Sequence, residues 1–119
     1  MGKIWTSYWG GHAKWPTDAI PIGITRYKPH FFYGINLESL APSENLLWKW
    51  KNNQIDEYMF ERLYFEELRE RGFTPEGVKS ILREAVGYRP IILCCYEKPD
   101  EFCHRHLLAK WLDDNIEEL

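Results

Sequence analysis

From Ile91 to Tyr96 the chain reads Ile-Ile-Leu-Cys-Cys-Tyr, an apolar run with no alternation of polar positions. A strand with one wet face alternates, so a run of this kind must be covered on both faces, as the central strand of a parallel sheet is. Parallel strands need long crossovers, which are most often helices. This one segment therefore points the whole chain toward an α/β fold. With 119 residues there is room for one hydrophobic core and not for two.

The flanking sequence agrees. Lys3 to Trp9 is β-branched and aromatic and stops at Gly10-Gly11, which reads as a first strand. Ala19 to Thr25 reads as a second, in which Pro21 suggests an edge position or a late start. Arg26 to about Asn53, with Pro29, Gly34, Pro42 and Ser43, reads as a long and partly ordered loop. Gln54 to Arg71 turns helical, with Ile55, Met59 and Leu63, and then Phe60, Tyr64 and Leu68, each four apart; Gly72 is its stop. Thr74 is a good N-cap for the next helix, Pro75 fits its first position, Phe73 can staple onto Val78, and Gly87 ends it. A last helix is expected from Asp100 or Glu101, with Asp100 as N-cap, to Ile116, burying Leu107, Leu108, Trp111 and Leu112. The expected architecture is a single compact α/β domain over residues 1–119. Its small parallel or mixed sheet is flanked by helices in a three-layer, Rossmann-like arrangement.

The candidate site lies where the apolar run ends. In open α/β sheets ligands bind beyond the C-terminal ends of strands, and there the sequence places Cys95, Tyr96 and Glu97, then Cys103-His104-Arg105 in the opening turn of a helix. Free backbone N–H groups at a helix N-terminus attract anions and lower a thiol pKa. Cys103 and His104 lie four residues before Leu107 and Leu108, so helical spacing turns both toward the sheet. Arg105, about 100° round the helix from His104, should flank the site, and His106 should face solvent with Lys110. Cys94 and Cys95 point to opposite faces of their strand. Cys94 reads as core, while Cys95 is open between core and site. Metal binding is not expected, because adjacent helical residues should diverge and no CxxC or HxxxH pair exists. Gly10-Gly11 alone is a weak phosphate-loop signal.

Charge narrows the partners. The net formal charge is −3, which argues against sequence-blind binding along nucleic acid. Residues 1–53 nevertheless hold six Lys/Arg against three Asp/Glu, and residues 54–119 nine against fifteen. The basic first half is rich in Trp and Tyr. No apolar run approaches the roughly 20 residues of a membrane span. The start Met1-Gly2-Lys3-Ile4-Trp5 lacks the apolar stretch of a secretory signal. Three cysteines, two of them adjacent, make a poor disulfide framework. A reduced, cytoplasmic protein without membrane contact is expected.

Leu93-Cys94-Cys95-Tyr96-Glu97-Lys98-Pro99, followed by Phe102-Cys103-His104-Arg105 and by Trp111-Leu112, closely resembles the C-terminal signature of the domain of unknown function 488 family. Ile4-Trp5-Thr6-Ser7-Tyr8 is similar to its first strand, and Ile24-Thr25-Arg26 with Lys28-Pro29 to its Ile-Ser-Arg and Lys-Pro segment. Leu40-Ala41-Pro42 and Tyr58 to Leu68 fit one subgroup. Thr25 stands where Ser is usual, and Cys94 where an aliphatic residue is common. The resemblance implies a compact α/β domain in which Arg26, Glu97, Cys103, His104 and Arg105 share a cleft; it implies no particular reaction.

Two functions are carried forward, with a structural zinc or redox role as a third reading. The first is a small enzyme acting on an anionic, nucleotide-like or phosphorylated substrate. Cys103, His104 and Glu97 would be its catalytic residues, and Arg26, Arg105, Tyr8 and Cys95 would bind substrate. Tyr8, Trp9, Trp15 and Tyr27 would wall a planar group, and the sequence leaves any cofactor unknown. The alternative is a non-catalytic module that binds nucleic acid or protein through the aromatic, basic first half, with Lys3, Lys14, Arg26 and Lys28 beside Trp and Tyr.

Overall fold

The computed structural model describes residues 3–97 and 101–119. Among these residues five strands form one sheet in the order β3-β2-β4-β1-β5, every pair parallel. They are β1 (Ile4–Tyr8), β2 (Ile20–Gly23), β3 (Ile35–Asn36), β4 (Ile91–Cys95) and β5 (Glu117–Glu118). As its unalternating sequence requires, β4 is the middle strand and all five of its residues are buried. It pairs with β1 from Ile4↔Ile91 to Tyr8↔Cys95 and with β2 from Ile20↔Ile91 to Gly23↔Cys94.

Pro21 sits in β2, an interior strand, and the reason is local. Ile20 N–H donates to Pro90 O on the β4 side, so the Pro21 nitrogen faces the other way. There β3 begins only opposite Ile22 and Gly23, and no ladder bond is lost. Gly23 is required next to it: a Cβ would run into the Asn36 side chain. Asn36 Nδ2 donates to Thr25 O (2.9 Å) and its Oδ1 accepts from Thr25 N (3.3 Å), which fixes how the chain leaves β2.

Four helices, α1 (Glu44–Lys51), α2 (Glu57–Glu70), α3 (Pro75–Val86) and α4 (His104–Leu112), cover one face of the sheet. Leu46, Phe60, Tyr64, Leu68, Val78, Leu82, Leu108 and Leu112 from these helices meet Ile4, Ile22, Ile91 and Leu93 from the strands in the main core. The opposite face carries Trp9, Ala19, Phe32, Ile92 and Cys94, with Trp5, Trp15 and Leu119 around them. That third layer is thin, made by a 3-10 segment, Trp9–Lys14, and by the chain around Phe32. Connections running toward β3 cross the thin face and those running toward β5 cross the helical face, as one handedness of crossover demands.

The third helix follows its sequence signals. Thr74 Oγ1 caps Gly77 N at 3.0 Å, Pro75 is the first residue, and Gly87 closes it at φ 69°. The segment read as loop is more ordered than expected. It contains β3, a 3-10 turn at Glu38–Leu40, and α1. Ser43, which looked like loop, is the N-cap of α1. Its hydroxyl accepts from Leu46 N (3.1 Å), while Glu67 takes bonds from Ser43 N (2.9 Å) and Oγ (2.5 Å). At the other end Asn53 adopts φ 56°, a left-handed stop that Asn tolerates. The last helix is shorter than expected and is capped by Cys103; the expected cap, Asp100, lies outside the described residues. Beyond it two glutamates form β5, held to β1 by Leu119 N donating to Thr6 O at 2.8 Å. No helix among the described residues is long and apolar enough to cross a membrane.

Candidate functional site

The chain leaves β4 toward the helical face, whereas it leaves β1 and β2 toward the thin face. Crevices therefore open beside the C-terminal end of β4, where α/β sheets bind ligands. Cys95 is the last residue of β4, and Cys103 arrives beside it from the start of α4.

Cys103 is not helical. It has φ −148° and ψ 143°, the extended geometry of an N-cap. The helical wheel that separates neighbouring side chains by about 100° does not govern the Cys103–His104 pair, so the two converge. The sulfurs of Cys95 and Cys103 are in bonding contact, and their Cα atoms are 7.7 Å apart. Nδ1 of His104 lies 3.9 Å from Cys103 Sγ. One potential ligand atom from each of Cys95, Cys103 and His104 lies within 4.8 Å of the others, and all three residues are buried. The expected divergence is thereby corrected.

The imidazole is oriented from behind. Nε2 of His104 is 2.6 Å from Ile24 O. A carbonyl only accepts, so Nε2 carries the proton and Nδ1 presents its lone pair toward the sulfurs. Burial drives the His104 pKa down to about 4, and the Ile24 bond opposes this less than burial and the Arg105 charge promote it. At neutral pH the ring is uncharged. Tyr64 packs edge-on against it at 5.9 Å. Cys94, on the thin face, is core as its position suggested, and burial pushes its thiol up to about 12.

Arg105 departs from its expected place. It does not flank the site to meet a substrate; it is fully buried, 0% exposed. Nε and Nη2 grip Glu118 at 3.1 and 2.8 Å, and Nη1 donates to Glu97 O at 2.7 Å and to Cys95 Sγ at 3.1 Å. The guanidinium thus ties the end of β4 to β5 and sets an N–H against the Cys95 sulfur. His106 is half-buried instead of pointing freely into solvent, and its Nε2 lies 3.3 Å from Glu118 Oε1. Thr6 Oγ1 adds a 2.6 Å bond to the same carboxylate. Burial alone would raise the Glu118 pKa. The bonds from His106, Arg105 and Thr6, with the Arg105 charge, outweigh it and hold the carboxyl near about 2.

In front of the cluster lies a groove formed by two adjoining cavities. One, of about 330 Å³, is bordered by Cys103, His104, Glu97, Glu101, Lys51 and the aromatic wall Trp50, Phe60 and Phe102. The other, about 130 Å³, adds Thr25, Arg26, Tyr27 and Tyr96, and shares Leu47, Lys51, Glu97 and His104 with the first. Within the wall, the Trp50 and Phe102 rings lie 4.5 Å apart and Phe60 meets Phe102 edge-on at 5.2 Å. Arg26 is held at the rim, with Nη1 3.1 Å from Glu38 Oε1 and Nε donating to Pro42 O at 3.2 Å.

The structure thus brings Arg26, Glu97, Cys103 and His104 to one groove, with Cys95 behind Cys103. Arg105 lies beneath it. Tyr8 pairs with Cys95 in the sheet, but its ring lies over Gly10 and Gly11 and borders neither cavity. That packing accounts for the Gly-Gly pair, since a Cβ at Gly10 would come within 2.7 Å of the ring. Trp9 and Trp15 belong to the thin-face cluster and are not walls of the groove; Tyr27 does reach it. The walls that sequence reading missed, Leu47, Trp50 and Lys51, all come from α1. Their signal was present: Leu46 and Trp50, and Leu47 and Lys51, stand four apart between a Ser cap and an Asn stop.

A family model described as the active DUF488-N3 subclade matches residues 7–116. Neither the curated proteins nor the solved structures contain a match to this chain. The family match runs from β1 to the end of the loop before β5 and takes in the whole groove and the cluster behind it. On that coverage, the chain belongs to the DUF488 family.

Proposed function

We propose that this protein is a small enzyme that takes an anionic, planar substrate, such as a nucleotide or a related phosphorylated compound, into the groove beside the end of β4. The observation that carries the reading is the continuity of the two cavities, which puts Arg26 and Lys51 on the same channel as Glu97, Cys103 and His104. Lys51 and Arg26 attract the anionic part, and Trp50 with Phe102 offers an apolar aromatic wall. The cluster of Cys103, His104 and Cys95 is the reactive centre, with Glu97 as the proton-handling group beside it. The substrate role first expected for Arg105 passes to Lys51, because Arg105 is consumed by Glu118.

The test is a thermal-shift screen of nucleoside monophosphates, sugar phosphates and inorganic phosphate, on wild type and on Arg26→Ala and Lys51→Ala. Stabilisation by a nucleotide that both substitutions abolish supports the reading. If no compound stabilises wild type, the reading fails. Binding of a single-stranded oligonucleotide that weakens steeply with salt and survives both substitutions would favour the non-catalytic alternative.

A further inference from the structure

We infer that in the reduced protein Cys95, Cys103 and His104 hold a zinc-type divalent metal ion, with a fourth coordination position open to the groove. The inference deepens the proposed function and rests on the same groove being the working site. Its first ground is convergence: two sulfurs and one imidazole nitrogen from two chain segments meet within 4.8 Å. Around a tetrahedral zinc ion the sulfur–nitrogen separation is about 3.6 Å and the sulfur–sulfur separation about 3.8 Å. The 3.9 Å between Cys103 Sγ and His104 Nδ1 already fits.

The two sulfurs must part to admit an ion, and the backbone leaves room for that. Their Cα atoms are 7.7 Å apart, beyond the roughly 4.4–6.8 Å that disulfides span. A disulfide and a metal would use the same two sulfurs, so the two forms exclude one another.

The second ground is the shell behind the cluster. A metal-bound histidine almost always donates its other ring N–H to a carbonyl or carboxylate, and His104 does so to Ile24 O. Thiolate ligands gain from N–H donors, and Arg105 Nη1 supplies one to Cys95. The third ground is the opening. Cys103 and His104 border the larger cavity together with Glu97, so a water or a substrate atom can take the fourth position. Three protein ligands with one open position mark catalytic rather than closed structural sites. Two thiolates and an imidazole select zinc-like ions over magnesium or calcium.

The experiment uses the full chain, reduced with a phosphine and stripped with a chelator that is then removed, and titrates it with Co²⁺. We expect one ion per chain, a near-ultraviolet thiolate-to-cobalt charge-transfer band, the intense visible bands of a tetrahedral site with two thiolates and one imidazole, and displacement by Zn²⁺. Cys95→Ser and Cys103→Ser should each weaken the band and lower affinity by more than about tenfold, and Cys94→Ala should leave both unchanged. Reduced wild type that develops no charge-transfer band overturns the inference without recourse to any variant. So does a band that is undiminished in Cys103→Ser or is lost in Cys94→Ala. The same metal-free sample is tested with nucleoside monophosphates. Stabilisation without cobalt binding overturns the metal site and spares the groove, and cobalt binding without stabilisation does the reverse.

Discussion

Glu118→Gln is the most searching perturbation of this fold, because it removes the only carboxylate that the buried guanidinium of Arg105 meets among the described residues. Arg105 is 0% exposed, and breaking a buried pair by deleting one partner costs about 3–5 kcal/mol. An independent figure comes from the carboxyl group itself. Its pKa drops from 4.5 to about 2 on folding. At about 1.4 kcal/mol per unit this corresponds to about 3 kcal/mol. The 23% of the Glu118 side chain open to water reduces it to about 2 kcal/mol. A loss of about 3 kcal/mol is therefore expected at pH 7, and with a urea slope of about 1.5 kcal/mol per M the midpoint should fall by about 2 M.

The pH dependence has a definite sign. A carboxyl whose pKa is depressed in the folded state contributes its full stabilisation above the unfolded value of 4.5 and loses it as pH falls toward about 2. The gap between wild type and Glu118→Gln should be widest above pH 4.5 and should close toward pH 2. Urea titrations at pH 7, 4 and 2.5 measure it, with Glu117→Gln, an exposed neighbour, as the control that should change little. A Glu118→Gln midpoint within about 1 kcal/mol of wild type at pH 7, or a gap that stays constant into acid, would refute the reasoning.

Two further outcomes are expected. Gly87→Ala meets no atom within 4 Å, yet forces an L residue into φ 69° and ψ −134°; it should cost about 1–3 kcal/mol, seen as a lowered melting temperature with no change in the groove. Ser43→Ala removes the α1 cap and one of the bonds to Glu67. It should cost about 1–2 kcal/mol in urea and, because α1 carries Trp50 and Lys51, should also weaken the nucleotide-induced thermal shift.

Elements specified by neighbouring residues could be read from sequence. The Thr74–Pro75 start and the Gly87 stop of α3 are local devices, and β4 announces its central position by lacking alternation. The address of the candidate site followed from β4, since whatever follows a central parallel strand lies at its C-terminal edge. The first helix escaped because Pro42-Ser43 and Asn52-Asn53 serve equally as loop residues and as helix ends. What separates the two is Glu67, which binds Ser43 from 24 residues away. Arg105 escaped for a related reason. A helical wheel gives its angle on α4 but not its partner, and Glu118 sits on a two-residue strand with no β-forming pattern of its own. The Cys103–His104 convergence was hidden by treating Cys103 as helical, when the geometry of an N-cap turns it differently.

The bonds that position the cluster have a consequence for how the protein assembles. His104 reaches back 80 residues to Ile24, and Thr6 reaches forward 112 residues to Glu118. Contacts of such separation form late, because the closure entropy of the intervening chain must be overcome first. A peptide covering β4 and α4 alone would carry every cysteine of the cluster and its histidine, yet would lack the carbonyl that sets the imidazole and the carboxylate that holds Arg105. Accessibility of Cys103 to a thiol reagent should therefore fall in step with completion of the sheet rather than with formation of its own helix, because the folded chain buries it. Labelling that thiol during refolding would report the moment residues 117–118 join β1.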